Sequence, residues 1–355
     1  MKTIYMNMTK GPDPAQIRQA GEIIRRGGLV AFPTETVYGL GGDALQSDSS
    51  RKIYAAKGRP SDNPLIVHIA DLKDLGSITE KIPSSALTLA EHFWPGPLTM
   101  IFSRSSLVPK ETTGGLDTVA VRMPSHPVAL ALIESSGGYI AAPSANLSGR
   151  PSPTLASHVM QDLNGRIDAV IDAGPVRIGL ESTIVDLTQE TPVILRPGFI
   201  TREMLEAALK GSVMIDPGIG GIGPDERPRA PGMKYRHYAP KADLCIVEGN
   251  RENVIAHIRR QAAQDYSEGV RAGIITCSED LSHYNDLPVF SEGLVRSLGS
   301  LSDEQAIAHS LFAALRDFDD LNVGKIYSEA FDTPQLGWAI MNRLMKAAGG
   351  RVVHI

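Results

Sequence analysis

The chain has 355 residues, more than the roughly 250–300 at which a single core usually stops growing, so two domains are expected. With Lys+Arg at 35 against Asp+Glu at 40, the formal net charge is −5, which excludes tight non-specific nucleic-acid binding by the whole surface and leaves room only for a local basic groove. Aromatic residues make up 5% of the chain, too few for an extended base-stacking platform. Cys245 and Cys277 are too far apart for a C-x-x-C site, and no zinc spacing pattern occurs. Both read as buried strand residues in a reducing cytoplasm. The first residues lack the apolar run of a secretory signal, and no stretch approaches the ~20 apolar residues that span a bilayer. A soluble, cytoplasmic protein without a membrane partner is expected.

Asp13-Pro14 reads as an N-cap followed by proline at the first helical position, with Ile17, Ala20, Ile23 and Ile24 on one face and Gly27-Gly28 closing the helix. A strand over 29–32 runs into P-T-E-T-V-Y-G-L-G-G at 33–42. T-E-T-V-Y there is good strand composition; alternatively its hydroxyls and carboxylate stand beside glycines that let the backbone approach a ligand. A helix over 49–58 ends at Gly58, which tolerates the left-handed conformation, and Pro60 and Pro64 fix the path into a strand over 65–69. Lys57 and Arg59 are thereby held at an element edge. They form either an anion clamp, a point charge beside a planar fork, or a solvated basic turn.

Residues 85–93 read as a helix stopped by the rigid corner W-P-G-P, with a strand over 98–102 beyond it. In the next strand, over 118–124, Arg122 lies within an apolar run, where a buried guanidinium needs an anion. A protein carboxylate and a ligand carboxylate serve equally well. His126-Pro127 opens a helix closed by Gly137-Gly138, and a strand over 139–142 leads into P-S-A-N-L-S-G-R-P-S-P-T at 143–154. Small hydroxyl and amide side chains at a strand's C-terminal edge suit a phosphate or sugar, and equally an ordinary polar turn. Strands over 167–173, 182–187 and 192–195 follow, then a helix capped by Thr201 that runs through Leu209 and stops at Gly211. Strands in close succession among helices predict a mixed sheet.

The alternation breaks over 212–240. G-I-G-G-I-G at 218–223 matches G-x-G-x-x-G, but Pro224, Pro228 and Pro231 stand where a dinucleotide-binding helix would begin, so that reading is rejected. Residues 229–240 carry cations and aromatics that a spacer does not need and that suit a segment lying across a ligand. Strands over 244–248, 272–277, 325–330 and 352–355 and helices over 252–264 and 336–348 come next. Ser302 with Gln305 reads as a capping box for a helix with Ile307, Leu311, Phe312, Leu315 and Phe318 on one face. The pattern predicts a small Rossmann-like parallel α/β domain without a catalytic constellation. The expected organisation is a catalytic domain over 1–211, an ordered linker over 212–240 and a C-terminal domain over 241–355.

No Walker A motif, G-x-S-x-G elbow or kinase signature is present. What remains is the K-x-R pair, the S-x-N loop, Arg122, Arg196 and the polar linker, a set rich in anion donors and without an evident nucleophile. P-T-E-T-V-Y-G-L-G at 33–41, K-G-R-P-S-D-N-P-L at 57–65, W-P-G-P-L-T at 94–99, A-P-S-A-N-L-S-G at 142–149 and S-T-I-V-D at 182–186 together resemble the YrdC-like family. The resemblance covers the chain as far as Gly211. P-G-M-K-Y-R-H-Y-A-P at 231–240, followed by a βα domain, is similar to the long two-domain form of threonylcarbamoyl-adenylate synthases.

This resemblance implies an α/β fold: a YrdC-like domain with a twisted mixed sheet and flanking helices, then the smaller parallel domain. It implies a nucleotidyltransferase that joins L-threonine, bicarbonate and ATP into threonylcarbamoyl-AMP and pyrophosphate, for threonylcarbamoyladenosine formation in tRNAs that read ANN codons. Mg²⁺ would accompany the ATP phosphates without direct protein ligands, and no tightly bound organic cofactor is implied. A threonylcarbamoyl transferase complex would be a transient partner and tRNA the eventual acceptor. By the same resemblance Lys57, Arg59, Ser144 and Asn146 are the catalytic set around nucleotide and phosphates. Asn63, Thr118, Ser152, Arg196, Tyr235 and His237 complete the ATP contacts. Thr36, His68, Arg122, Ala142 and Ser182 hold threonine, with Arg122 on its carboxylate. Two other readings go with this fold: an RNA-binding module with a concave basic surface, and a carbamoyl-transfer domain like that of hydrogenase maturation. The net charge and low aromatic content count against the first. The lack of an acylphosphatase-like or zinc-knuckle segment counts against the second.

Overall fold

The computed structural model describes residues 2–221, 223, 226–235 and 237–355; Ile222 and Pro224 of the glycine pattern and Arg236 of the linker lie outside them. The chain divides into one unit of Met1–Ser148, Ser152–Arg177 and Glu181–Tyr235 and another of Gly149–Pro151, Ile178–Leu180 and Arg236–Ile355. In the first unit, chain order is β1 (Ile4–Asn7), α1 (Pro14–Arg25), β2 (Val30–Phe32), β3 (Gly39–Asp43), α2 (Ser47–Lys57), β4 (Ile66–His68), α3 (Leu75–Ile78), α4 (Ser84–Phe93), β5 (Leu98–Ser103) and β6 (Thr118–Arg122). Next come α5 (Pro127–Ser135), β7 (Ile140–Ala142), α6 (Ala156–Leu163), β8 (Ala169–Asp172), β9 (Thr183–Asp186), β10 (Val193–Arg196), α7 (Arg202–Leu209) and β11 (Met214–Ile215).

Among the described residues these strands form one sheet in the order β1-β8-β2-β3-β7-β4-β6-β5-β9-β10-β11. It is mixed: β4 runs parallel to β6 but antiparallel to β7, and β5 antiparallel to β6 but parallel to β9. Period-two alternation sends side chains to two faces. On one, Val67, Met100, Val121 and Ala141 join Ile53, Leu89, Val159 and Leu205 from the helices in a continuous apolar core. The other face is covered in two patches. Phe32, Ile140 and Ala142 pack with Ile17, Ala20 and Ile24 of α1 and Val128 and Leu132 of α5. Farther along, Ile66, Ile101, Ala120 and Ile184 pack with Ala230 and Met233 of the segment after β11. Two residues on from Ile66 and Ala120, and two before Ile101, the same face carries His68, Arg122 and Thr99, which pairing register sets side by side. That polar row between apolar patches is the floor of the candidate site.

The caps follow the sequence in most places. Asp13 accepts from the Ala15 and Gln16 amides at the start of α1, and Gly58 ends α2 at φ 62°. Elsewhere the structure differs. T-E-T-V-Y is a loop joining antiparallel β2 and β3, because the Thr34 hydroxyl accepts from the Thr36 and Val37 amides and folds the backbone into a turn. The glycines of β3 face core: a Cβ on Gly41 would stand 2.8 Å from Ile140 Cγ2 and 2.9 Å from Phe32 Cε1, so their smallness serves packing rather than a ligand. Helix α7 ends at left-handed Lys210, one residue before Gly211.

The second unit contains β12 (Asp243–Glu248), α8 (Arg251–Ser267), β13 (Ala272–Thr276), α9 (Pro288–Ser291), β14 (Val295–Ser297), α10 (Glu304–Asp320), β15 (Lys325–Glu329), α11 (Gly337–Ala347) and β16 (Val352–His354). Its sheet, β14-β13-β15-β12-β16, is parallel throughout, as expected of a Rossmann-like domain. Helix α10 is capped by Asp303, whose carboxylate accepts from the Ala306 amide, while the Ser302 hydroxyl pairs with Ser300; the capping box predicted one residue earlier does not form. Cys245 is only half-buried in β12, and buried Cys277 lies just beyond β13. No helix among the described residues is long and apolar enough to cross a membrane.

Gly41→Ala is expected to lower unfolding stability by about 1–3 kcal/mol through overpacking against Phe32 and Ile140. Urea denaturation measures this, and an unchanged free energy would contradict the packing role.

Candidate active site

Arg122 is 4% exposed at the end of β6. Its charge is met by Glu35, itself 3% exposed, whose Oε1 lies 2.7 Å from Arg122 Nη2 and whose Oε2 accepts from the Ser125 amide at 3.1 Å. The buried anion is therefore a protein carboxylate. Arg122 Nε also donates to the Gly96 carbonyl at 3.2 Å, which gives the W-P-G-P corner a use, and Nη1 donates to Thr36 Oγ1 at 2.9 Å. A guanidinium has five N–H groups, so these three bonds leave two for a ligand among the described residues.

The Thr36 hydroxyl has a fixed polarity. Thr34 Oγ1 donates its proton to the Val37 carbonyl at 2.6 Å, so the 2.8 Å contact between the threonines is a bond from Thr36 to Thr34. Thr36 Oγ1 is left as an acceptor. Beside Arg122, His68 Nδ1 lies 3.1 Å from the Ile66 carbonyl, which can only accept, so Nδ1 carries the proton. Burial, with Arg122 adding repulsion, drives the imidazole pKa down to about 3 and keeps it neutral at physiological pH.

The K-x-R pair is buried, not a solvated turn: Lys57 is 2% exposed and Arg59 9%. Lys57 Nζ reaches across to the Ser144 and Asn146 carbonyls, each at 2.5 Å, and tethers the S-x-N loop to the end of α2. Within that loop Ser144 Oγ donates to Asn146 Oδ1 at 2.5 Å. Arg59 braces its own turn through the Asn63 and Pro64 carbonyls, at 3.2 and 3.0 Å. Asn63 Oδ1 is buried without a hydrogen-bond partner among the described residues, which suits a ligand donor.

Arg196, at the end of β10, donates to the Ser182 carbonyl at 3.0 Å and to Ser182 Oγ at 3.1 Å. Ser152 donates to buried Glu181. The segment after β11 is fastened to this unit at several points. Arg229 pairs with Asp186 and Asp216, the Pro231 carbonyl meets Arg196 at 3.5 Å, and the Tyr235 hydroxyl donates to Asp62 Oδ1 at 2.5 Å. Partial burial and Asp62 push the Tyr235 hydroxyl pKa up to about 12.

Thus Thr36, His68, Arg122, Ser182, Lys57, Arg59, Asn63, Ser144, Asn146, Ser152, Arg196 and Tyr235 all belong to one unit, in which bonds or register join Thr36 and His68 to Arg122, Ser182 to Arg196, Lys57 to Ser144 and Asn146, and Arg59 to Asn63. Thr118 lies four residues before Arg122 on the same strand face, and Ala142 packs in the apolar patch beneath α1. His237 belongs to the other unit, stacked on Tyr238 at 5.5 Å. Sequence reading gave no role to Glu35, Thr99, Glu181 or Asp62, although four of the five quoted motifs contain or adjoin them. In the second unit Cys277, Asp280 and Glu329 have ligand-capable atoms within 4.8 Å of one another. Those groups satisfy each other and Thr276, Tyr284 and Arg251, and burial raises the thiol pKa, so they read as an internal network.

Residues 22–198 match the Sua5/YciO/YrdC family model, described as telomere recombination, and residues 200–349 match the threonylcarbamoyl-AMP synthase C-terminal domain. The chain is therefore a two-domain protein of the Sua5/YciO/YrdC class. It is 50% identical to a Bacillus subtilis threonylcarbamoyl-AMP synthase, over 96% of this chain and 95% of that one, and 48% identical to that of Pyrococcus abyssi, over 99% and 100%. Its fold matches a solved structure of P. abyssi Sua5 complexed with L-threonine at a TM-score of 0.92 and 47% identity, over 99% of this chain and 100% of that one. The chain belongs to the threonylcarbamoyl-AMP synthase family.

His68 gives a pH test. Between its folded pKa of about 3 and the ordinary 6.5, the unfolded chain binds one more proton, so stability falls as pH falls through that window. From pH 7 to pH 5 the wild type should lose about 2 kcal/mol more unfolding free energy than His68→Asn. Equal losses would place a charged His68 in the fold.

Proposed function

We propose that this site joins L-threonine, bicarbonate and ATP into threonylcarbamoyl-AMP and pyrophosphate. The observation that carries the reading is the presence, in one unit, of a buried guanidinium with two N–H groups to spare and of three further buried cations, Lys57 bound to the S-x-N loop, Arg59 in the turn after α2 and Arg196 bound to Ser182. Arg122 takes the threonine carboxylate, and the acceptor Thr36 Oγ1 takes a donor from the ammonium or hydroxyl. A wall of hydroxyls penalises an apolar isostere by leaving polar groups unpaired.

In the reaction the threonine nitrogen bonds to the bicarbonate carbon, water and one proton leave, and the resulting carbamate oxygen attacks the α-phosphorus while its bond to the pyrophosphate oxygen breaks. Lys57, Arg59, Ser144 and Asn146, with Asn63, Thr118, Ser152 and Arg196, hold the nucleotide, so catalysis is positioning and charge neutralisation without a protein nucleophile. Mg²⁺ enters with the ATP phosphates as part of the substrate. The groups assigned there are cations, hydroxyls and amides, which leaves the ion to phosphate oxygens and water. We assign this chemistry to residues 1–211. The linker over 212–240 slows escape of the labile product through its Arg229, Pro231 and Tyr235 contacts. The protein works in the cytoplasm and passes its product to a threonylcarbamoyl transferase complex, with tRNA as acceptor.

Purified protein should release pyrophosphate from ATP only when threonine and bicarbonate are both present, and without RNA. Absence of that release, or tight RNA binding without ATP, would overturn the reading. Tyr235→Phe, which removes the bond to Asp62, should raise the ATP KM several-fold or increase product leakage; unchanged kinetics would remove the linker from the mechanism.

A further inference from the structure

The polar row contains a hydroxyl pair whose protons do not balance. Thr99 Oγ1 and Ser182 Oγ lie 2.8 Å apart, and both residues are almost fully buried, at 0% and 1% exposed. Arg196 Nη2 donates to Ser182 Oγ, and a guanidinium accepts nothing in return. Two hydroxyls carry two protons, and the bond between them uses one, whichever is the donor. Among the described residues no acceptor takes the other. The chain from Arg122 through Thr36 and Thr34 behaves differently, because it ends on the Val37 carbonyl with every proton received. One part of the site therefore presents an acceptor, and the Thr99–Ser182 pair presents a donor. A buried O–H without an acceptor is costly, so the spare proton points to a ligand oxygen.

Position identifies that oxygen. Thr99 is the register partner of Arg122 on the neighbouring strand, with both side chains on one sheet face. Ser182 is bound to Arg196. The pair thus bridges the guanidinium assigned to the amino-acid carboxylate and the one assigned to the phosphates. A group bonded to the threonine nitrogen on one side and reacting with the α-phosphorus on the other has to cross that bridge. We infer that the Thr99–Ser182 hydroxyl pair, backed by Arg196, binds bicarbonate and then the carboxylate of the carbamate made from it. This rests on the synthase reading above, and gives Ser182 a different partner from the threonine contact that resemblance implied.

In the step it serves, the amine nitrogen forms a bond to the bicarbonate carbon and the C–OH bond breaks. The departing hydroxide takes one ammonium proton as water, and a second proton goes to solvent. The carbamate keeps two oxygens, one held by the hydroxyl pair and the other directed at the α-phosphorus.

Thr99→Val keeps shape and β-branching and removes the hydroxyl. We expect it to raise the KM for bicarbonate about tenfold or more, while threonine binding measured by calorimetry without bicarbonate changes less than about twofold. Thr99→Ser, which restores the hydroxyl, should return the bicarbonate KM toward the wild-type value, and this rescue separates the role from a folding defect. An unchanged bicarbonate KM in Thr99→Val overturns the assignment. So does loss of threonine affinity without bicarbonate, because the pair would then read threonine itself. Wild-type protein that releases no pyrophosphate with threonine and bicarbonate overturns the synthase reading and this inference together, whereas an active wild type with an unaffected Thr99→Val overturns the inference alone.

Discussion

The burial of Arg122 in a sheet face is the constraint on which the site depends. A guanidinium between two apolar patches is too costly to leave unpaired, and its position two residues from Ala120 on the same face admits no escape to the opposite side. The surrounding chain supplies what it needs from three directions: a carboxylate and a hydroxyl from the loop after β2, and a carbonyl from the proline corner. That demand explains why a stretch of good strand composition is a loop. Its Thr34 turn brings Glu35 and Thr36 to the guanidinium, a geometry that straight strand would not provide.

The lysine–arginine pair follows the same logic with different partners. Near Arg122 a carboxylate meets the charge; Lys57 donates to backbone carbonyls of the S-x-N loop and Arg59 to those of Asn63 and Pro64. Carbonyl groups hold Lys57 and Arg59 in place, which fixes two cationic side chains at the end of α2 and in the turn after it. The loops are ordered by these bonds beforehand, which reduces what a ligand must spend in ordering them.

Much of this was legible in the sequence because local physics decides it. The Asp13 cap, the left-handed Gly58 and the βα alternation that predicts a parallel second domain all follow from neighbours in the chain. The motifs marked Lys57, Arg59, Ser144 and Asn146, and the apolar run around it marked Arg122. What escaped depends on partners distant in sequence: Glu35 meets Arg122 from 87 residues away, and Thr99 meets Ser182 from 83. β1 is a short strand defined by parallel pairing with β8, far along the chain. α6 begins after Leu155 without a side-chain cap, so no start signal was there to read. Ser302 and Gln305 fit the capping-box motif, but the Asp303 carboxylate one residue later makes the bond.

The environment of Lys57 has a consequence for chemical self-protection. A carboxylic–phosphoric mixed anhydride, the kind of product the proposed reaction forms, acylates any unprotonated amine it meets. An enzyme that places a lysine beside such a species runs the risk of modifying itself. Lys57 Nζ donates to the carbonyls of Ser144 and Asn146, each at 2.5 Å, with Asn146 Oδ1 at 3.5 Å, so the nitrogen is tied to the S-x-N loop rather than swinging freely. The bonds that shape the loop therefore also restrain that nitrogen, because reaching an acyl carbon would mean giving up two carbonyl partners at once.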